Sequence, residues 1–231
     1  MAEVSPGVLI PSIVSPMQVE IWSDVVCPWC YIGKIRFDKA VATLRNKGIT
    51  EPINVVFKAY QLDPTAPVGS PTPVAEAYAK KFGGSDRANQ ILQHVTNVAA
   101  EDGIEFNMDI ALRANTIECH RAIHWALTTL GASAQITLKE RLLKAYFTDG
   151  LDVGSREVIV QCAHECGFDG AELNDWLSTD AGYEEVRADL EGAAMRDITA
   201  VPSFVINNQF LIPGAQDPEV FVNVIEKILS R

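Results

Sequence analysis

Cys27-Pro28-Trp29-Cys30 follows an apolar, strand-like run, Val19-Glu20-Ile21-Trp22, and precedes a helix-like segment. Two cysteines two residues apart at a strand-to-helix junction point to a redox dithiol on an α/β layer. The attacking species in thiol–disulfide exchange is a thiolate, and the partial positive charge of a helix N-terminus lowers a thiol's pKa. Pro28 suits the first helical position, where its missing N–H costs nothing. Cys27 is then the N-cap residue, its sulfur aimed at free backbone N–H groups. Cys30, one turn on, is placed to resolve a mixed disulfide by attacking the Cys27 sulfur.

The rest of the chain fits a protein that needs no disulfide staples. Of its 231 residues 48% are hydrophobic, enough for one sizeable domain or one domain with an insertion. Nineteen basic against thirty acidic residues give a net charge of −11, a surface that repels nucleic acid and anionic membranes. Glu3 and the prolines at 6, 11 and 16 spoil any signal-peptide pattern, so residues 1–16 read as a flexible lead-in. No stretch approaches the ~18 uninterrupted apolar residues of a membrane span. Five cysteines, an odd number, fit a reducing compartment, and the expected location is the cytoplasm.

Periodicity divides the chain into two ends and a middle. Residues 18–24 read as a strand, about Tyr31–Lys47 as a helix ended by Gly48, and Asn54–Gln61 as a second strand. A loop from Asp63 to Pro73 holds four prolines and a glycine. From Val74 to about Arg196 the pattern is helical, with helix starts near Ser85 and Ser155. Ser203–Asn207 and Phe210–Pro213 read as short strands joined by an Asn207-Asn208 turn, and Pro218–Leu229 as a closing amphipathic helix. The expected fold is therefore α/β, a small sheet layer built from 17–62 and 181–231 and interrupted by an all-α insertion over 63–180.

Val201-Pro202 lies just ahead of the Ser203 strand. Proline cannot donate to a sheet ladder and belongs at a strand's first residue or on an edge. If its peptide bond is cis, its backbone can face an active site. Alone it reads as an ordinary strand opener; with a CxxC at the end of the first strand it gains a partner.

At this point the sequence resembles the DsbA-like branch of the thioredoxin superfamily, and within it the FrnE-like oxidoreductases. The matching residues are Ser23-Asp24-Val25-Val26-Cys27-Pro28-Trp29-Cys30-Tyr31-Ile32-Gly33, then Asn115-Thr116 with His120-Arg121. Ala145-Tyr146-Phe147 with Gly150 and Asp152, Val201-Pro202-Ser203-Phe204 and Gly214-Ala215-Gln216 follow in order. The resemblance implies a thioredoxin-like fold interrupted by a large all-α helical insertion, with Pro202 cis beside the CxxC. It implies Cys27 as nucleophile, Cys30 as resolving thiol, and Pro28 and Trp29 as residues that tune the pair. It also implies that the Val201 backbone, next to Pro202, binds an extended substrate segment. Strongly oxidising relatives carry histidine where this chain has Trp29, so a milder oxidant is expected. Potentials across the superfamily span about −270 to −120 mV.

Other candidates have plainer readings. Cys162 and Cys166, four apart on an apolar helix, and Cys119 read as small core residues. His120 and His124 share a helix face at metal-ligand spacing but lack a third ligand, so they read as packing or cleft-lining residues, and no metal site is expected. Trp22, Trp125 and Trp176 read as core and Trp29 as exposed beside the sulfur. Asp24 reads as a loop cap, with a proton-holding role near the dithiol as the alternative.

Three functions follow. The first is a disulfide oxidoreductase or isomerase acting on a disulfide-containing protein or small-molecule substrate. It needs no cofactor, with glutathione or a cellular thiol reductant as redox partner. The second is a glutathione-dependent transferase or isomerase of the kappa-class or 2-hydroxychromene-2-carboxylate isomerase type, in which serine typically stands at the position of Cys27. The third is a holdase without turnover. Nucleic acid and membranes are not expected partners.

Overall fold

The structure is a computed structural model that describes residues 16–231. The lead-in expected over 1–16 lies, but for Pro16, outside the described residues. The sheet has four strands: β1 Met17–Ser23, β2 Ile53–Ala59, β5 Ser203–Ile206 and β6 Phe210–Pro213. Their order is β2-β1-β5-β6, with β1 parallel to β2 and antiparallel to β5, and β5 antiparallel to β6. A parallel β1–β2 pair needs a crossover, and helix α1, Pro28–Asn46, supplies it. Asn207 and Asn208 turn the β5–β6 hairpin with φ of 50° and 56°, the positive values that asparagine tolerates.

One face of the sheet is closed by α1 and the last helix, α9 Pro218–Leu229. Phe37 of α1, Phe204 of β5 and Phe221 of α9 form the seam, with ring centres 4.7–5.5 Å apart. Such offset and edge-on aromatic pairs add to plain area burial.

The insertion contains α2 Val74–Phe82, α3 Ser85–Glu101, α4 Ile117–Trp125, α5 Ala132–Phe147, α6 Arg156–Glu165 and α7 Gly170–Leu177. Helix α8, Tyr183–Met195, then leads back to the sheet. It is not wholly helical. Thr72–Pro73 (β3) and Leu112–Arg113 (β4) pair as a short antiparallel ladder that ties the proline-rich loop to the chain before α4. Ser155 caps α6 by accepting from the Val158 N–H, whereas Gly84, not Ser85, occupies the cap of α3. One apolar core runs unbroken from the sheet into the insertion, through Ile32, Phe106 and Phe147.

Gln135 and Asp189 join the two parts at the sheet's edge. The Gln135 amide, from α5, accepts from the Phe57 N–H at 2.9 Å and donates to the Phe57 carbonyl at 3.0 Å. Asp189 of α8 accepts from the Ala59 N–H at 3.1 Å. The unpaired side of edge strand β2 is thus met by side chains of α5 and α8 rather than by another strand.

Candidate active site

β1 ends at Ser23, and Asp24 turns the chain toward α1. The buried Asp24 carboxylate accepts from the Val25 and Leu62 N–H groups, both at 2.8 Å, and faces His120 Nε2 at 3.3 Å. It therefore pins the loops after β1 and β2 together, which is the capping role expected of it. Burial alone would raise its pKa. The His120 hydrogen bond and charge, the Leu62 N–H and the charge of Lys139 outweigh burial and hold the carboxyl below its usual range.

Pro28 opens α1 with Cys27 as its N-cap, as the motif predicts. The helix begins three residues earlier than the apolar pattern indicates. The Cys27 sulfur does not cap the helix: its thiol points across to the Val201 carbonyl at 3.6 Å. The Val201–Pro202 peptide bond is cis. Gly33, one turn after Cys30, faces the Pro202 ring so closely that an added Cβ would lie 2.8 Å from Pro202 Cγ. The glycine of the CPWCYIG run is what lets the helix approach the proline. Cys27, Cys30, Trp22, Ile198 and Val201 form a separate small apolar cluster at this spot.

Both sulfurs are buried, and the charge distribution around them is uneven. Burial pushes the Cys27 thiol well up, and the neighbouring Cys30 thiol adds to that rise. Burial also acts on Cys30, but the hydrogen bond from Cys27, the Lys139 charge and the Ser23 hydroxyl outweigh it and hold this thiol down. The expected lowering of Cys27 by the helix terminus is not the dominant influence here. Its sulfur is desolvated and aimed at a carbonyl dipole instead of the terminal N–H groups.

The family follows from the whole chain. Residues 18–226 match the profile of the DSBA-like thioredoxin domain, a span that takes in the CxxC, the insertion and the cis proline. The chain belongs to the DSBA-like thioredoxin family. A structure from Streptomyces coelicolor, described as a probable DsbA oxidoreductase, superimposes with a TM-score of 0.84 at 31% identity, covering 93% of this chain and 91% of that one. YwbO of Bacillus subtilis is 27% identical over 213 residues, 90% of this chain and 96% of its own. DsbM of Pseudomonas aeruginosa, a cytosolic disulfide reductase solved with GSH, shares the fold at a TM-score of 0.62 and 17% identity, with 93% and 100% covered. DsbA-like oxidoreductases act on disulfide-containing substrates and need no cofactor.

The remaining sequence candidates fall into place around this DsbA-like centre. Trp29 is partly exposed, its ring 6.2 Å from that of His94 on α3. Trp22 and Trp125 are core. Trp176 is only half-buried, because it covers the Arg121 guanidinium at 5.4 Å rather than filling the interior. Cys119 is buried and donates to the Val153 carbonyl at 3.0 Å; burial pushes its thiol well up. Cys162 is buried, its thiol pushed up to about 11, and Cys166 is half-buried. His120 and His124 line one cavity of about 260 Å³, the cleft-lining role expected of them. Among the described residues no three His, Cys, Asp or Glu side chains converge as a metal site. No described helix is long and apolar enough to cross a membrane.

Tyr78 and Lys139, which act on the dithiol's charges, belong to none of the sequence motifs, and Ser23 enters there only as the first residue of the run around the CxxC, with no role assigned. Burial pushes the Tyr78 hydroxyl up to about 12, with the Cys27 charge as the second cause. A signal for Lys139 was present. In α5, Gln135, Leu138, Lys139, Leu142, Leu143 and Tyr146 form the buried stripe at helical spacing, so both polar residues sit where apolar ones belong.

Proposed function

We propose that the chain is a thiol–disulfide oxidoreductase in which Cys27 attacks a substrate disulfide and Cys30 resolves the mixed disulfide. The observation that carries this reading is the Cys27 thiol at the mouth of α1, 3.6 Å from the carbonyl of Val201, the residue before cis Pro202. Val201 and Pro202 form the strip against which an extended disulfide-bearing segment docks. Pro28 and Trp29 tune the pair, Pro28 by fixing the helix start and Trp29 by placing between the two cysteines a ring that can donate but not accept a proton. Cys30 follows one turn along α1 and is as buried as Cys27, within the same small apolar cluster.

The substrate is a disulfide-containing protein or small molecule, and glutathione or a cellular thiol reductant is the redox partner. DsbM, solved with GSH, supports that partner. A reducing, cytoplasmic setting agrees with the five cysteines, all of which are free. The chain divides functionally into the thioredoxin-like part, 17–62 and 181–231, which holds the dithiol, and the insertion, 63–180, which shapes the approach to it. Cysteine at position 27, with Cys30 intact, favours this reading over a glutathione-dependent transferase or isomerase.

Equilibration in graded reduced and oxidised glutathione, followed by alkylation and mass spectrometry, tests the reading. Joint two-electron conversion of Cys27 and Cys30 is expected. A stable glutathione adduct on Cys27 without pairing would replace it with the glutathione-dependent transferase or isomerase.

A further inference from the structure

A groove of about 640 Å³ lies between the loop after β2, the β3–β4 ladder and helix α2, and Val26, the residue before Cys27, is part of its wall. The loop is held in place by the protein itself. Asp24 accepts from the Leu62 N–H at 2.8 Å, Asp63 pairs with Arg113 at 2.6 Å, and Asn115 donates to the Ala66 carbonyl at 2.9 Å. A preformed groove spares its occupant the cost of ordering it.

Two features of the groove point to an occupant. The first is a pair of tyrosines, Tyr78 of α2 and Tyr146 of α5. Tyr146 is only 2% exposed, yet neither hydroxyl has a hydrogen-bond partner among the described residues. Buried hydroxyls are normally paired, so these two are free to bond a group that enters the groove. The second feature is charge. Lys80 and Lys81 stand exposed at the lip, the Lys81 Nζ 5.6 Å from the Phe82 ring centre, and neither is ion-paired among the described residues. Asp63 is already matched by Arg113, which leaves Glu76 as the one other carboxylate of the lining. The chain as a whole carries −11. Screening at physiological salt acts over about 8 Å, so an occupant of the groove feels the two lysines before the distant acidic surface.

We propose that this groove binds the peptide segment flanking the reacting cysteine of a substrate, and prefers a segment with an acidic residue beside that cysteine, so that the natural substrate is a protein disulfide. The inference rests on the reading of Cys27 as the attacking thiol. A segment laid against Val201 passes Cys27 and reaches the groove at Val26. Its acidic side chain meets Lys80 and Lys81, and its backbone carbonyls accept from the tyrosine hydroxyls. The groove has the volume of sites that enclose drug-sized ligands, far more than one cysteine fills.

The test uses the reduced full chain and short peptides whose single cysteine is held as a 2-pyridyl disulfide. The peptides differ only in carrying Asp, Asn or Lys beside that cysteine. Attack by Cys27 releases the absorbing pyridinethione, and each second-order rate is divided by that of the same peptide with free mercaptoethanol, which removes intrinsic reactivity. Exposed ion pairs are individually weak, so two lysines should favour the Asp over the Lys peptide by about three- to tenfold. The preference should shrink at high salt and largely vanish in a Lys80→Ser, Lys81→Ser double variant. Tyr146→Phe should raise the peptide concentration for half-maximal rate by about two- to tenfold for all three peptides, with unfolding stability unchanged. Equal normalised rates in the wild type overturn the proposal, as does a preference that survives in the double variant. A higher normalised rate with the pyridyl disulfide of mercaptoethanol than with the Asp peptide also overturns it, in favour of a small-molecule occupant. Failure of the wild type to release pyridinethione from any of these disulfides is a different result: it removes the oxidoreductase reading, and the groove's role with it.

Discussion

The Gln135 side chain hydrogen-bonds both backbone groups of Phe57, at 2.9 and 3.0 Å, in place of a neighbouring strand. Replacing it with alanine leaves a buried N–H and a buried carbonyl unpaired, each worth about 1–3 kcal/mol. Gln135→Ala is expected to lower unfolding stability by about 3 kcal/mol, read as a drop in the urea midpoint at constant slope. A loss below about half a kilocalorie would mean that water replaces the amide.

Gly33→Ala places a methyl group 2.8 Å from Pro202 Cγ. Neither the helix start nor the strand-opening proline can yield easily, so overpacking costs about 1–3 kcal/mol. Because the displaced element is the one facing Cys27, disulfide exchange should fall more steeply than stability. Wild-type exchange rates in a folded G33A protein would refute the link between this contact and the site.

Asp24 sets the acid limb of stability. Its folded pKa is depressed, so its contribution is complete above the unfolded value of about 3.9 and disappears as pH falls through the folded value. Asp24→Asn should be less stable than the wild type at neutral pH and show a shallower decline in acid. Urea midpoints measured across the acid range compare the two proteins directly.

Cys30→Ser removes the group that resolves the mixed disulfide. Incubated with glutathione disulfide, this variant should hold one stable adduct on Cys27, while Cys27→Ser forms none; intact-mass spectrometry counts them. Adduct formation on Cys27→Ser at the rate seen with Cys30→Ser would exchange the two roles.

Arg121 is buried and donates to the Ala181, Leu177 and Thr179 carbonyls and to Glu118, with its guanidinium 4.0 Å from the Tyr183 ring centre. It holds the end of α7 against the start of α8. Arg121→Met strands those acceptors and should cost about 3–5 kcal/mol by urea unfolding. Arg121→Lys should recover little of the loss, because an ammonium cannot reproduce the planar fork.

Local events are encoded in short stretches of neighbouring residues. Cys27 and Pro28 mark the start of α1 because proline lacks an N–H and fits the first helical turn. Asn207-Asn208 marks the β5–β6 turn because asparagine tolerates positive φ, and the strand-like run read over 18–24 marks β1, which spans Met17–Ser23. These signals depend on a few consecutive residues, and so they were legible together with the insertion between the two halves of the sheet. The aim of the Cys27 sulfur at Val201 was not, since it depends on a residue 174 positions away. The β3–β4 ladder was hidden by its two-residue strands, too short to show alternation. Lys139 lay in plain view within the α5 stripe, yet only packing decided that its amine ends against the Ser23 carbonyl and the Phe57 ring rather than in water. Strand and helix starts are written in neighbouring side chains; the polarity around a buried sulfur is set by whatever the rest of the chain brings to it.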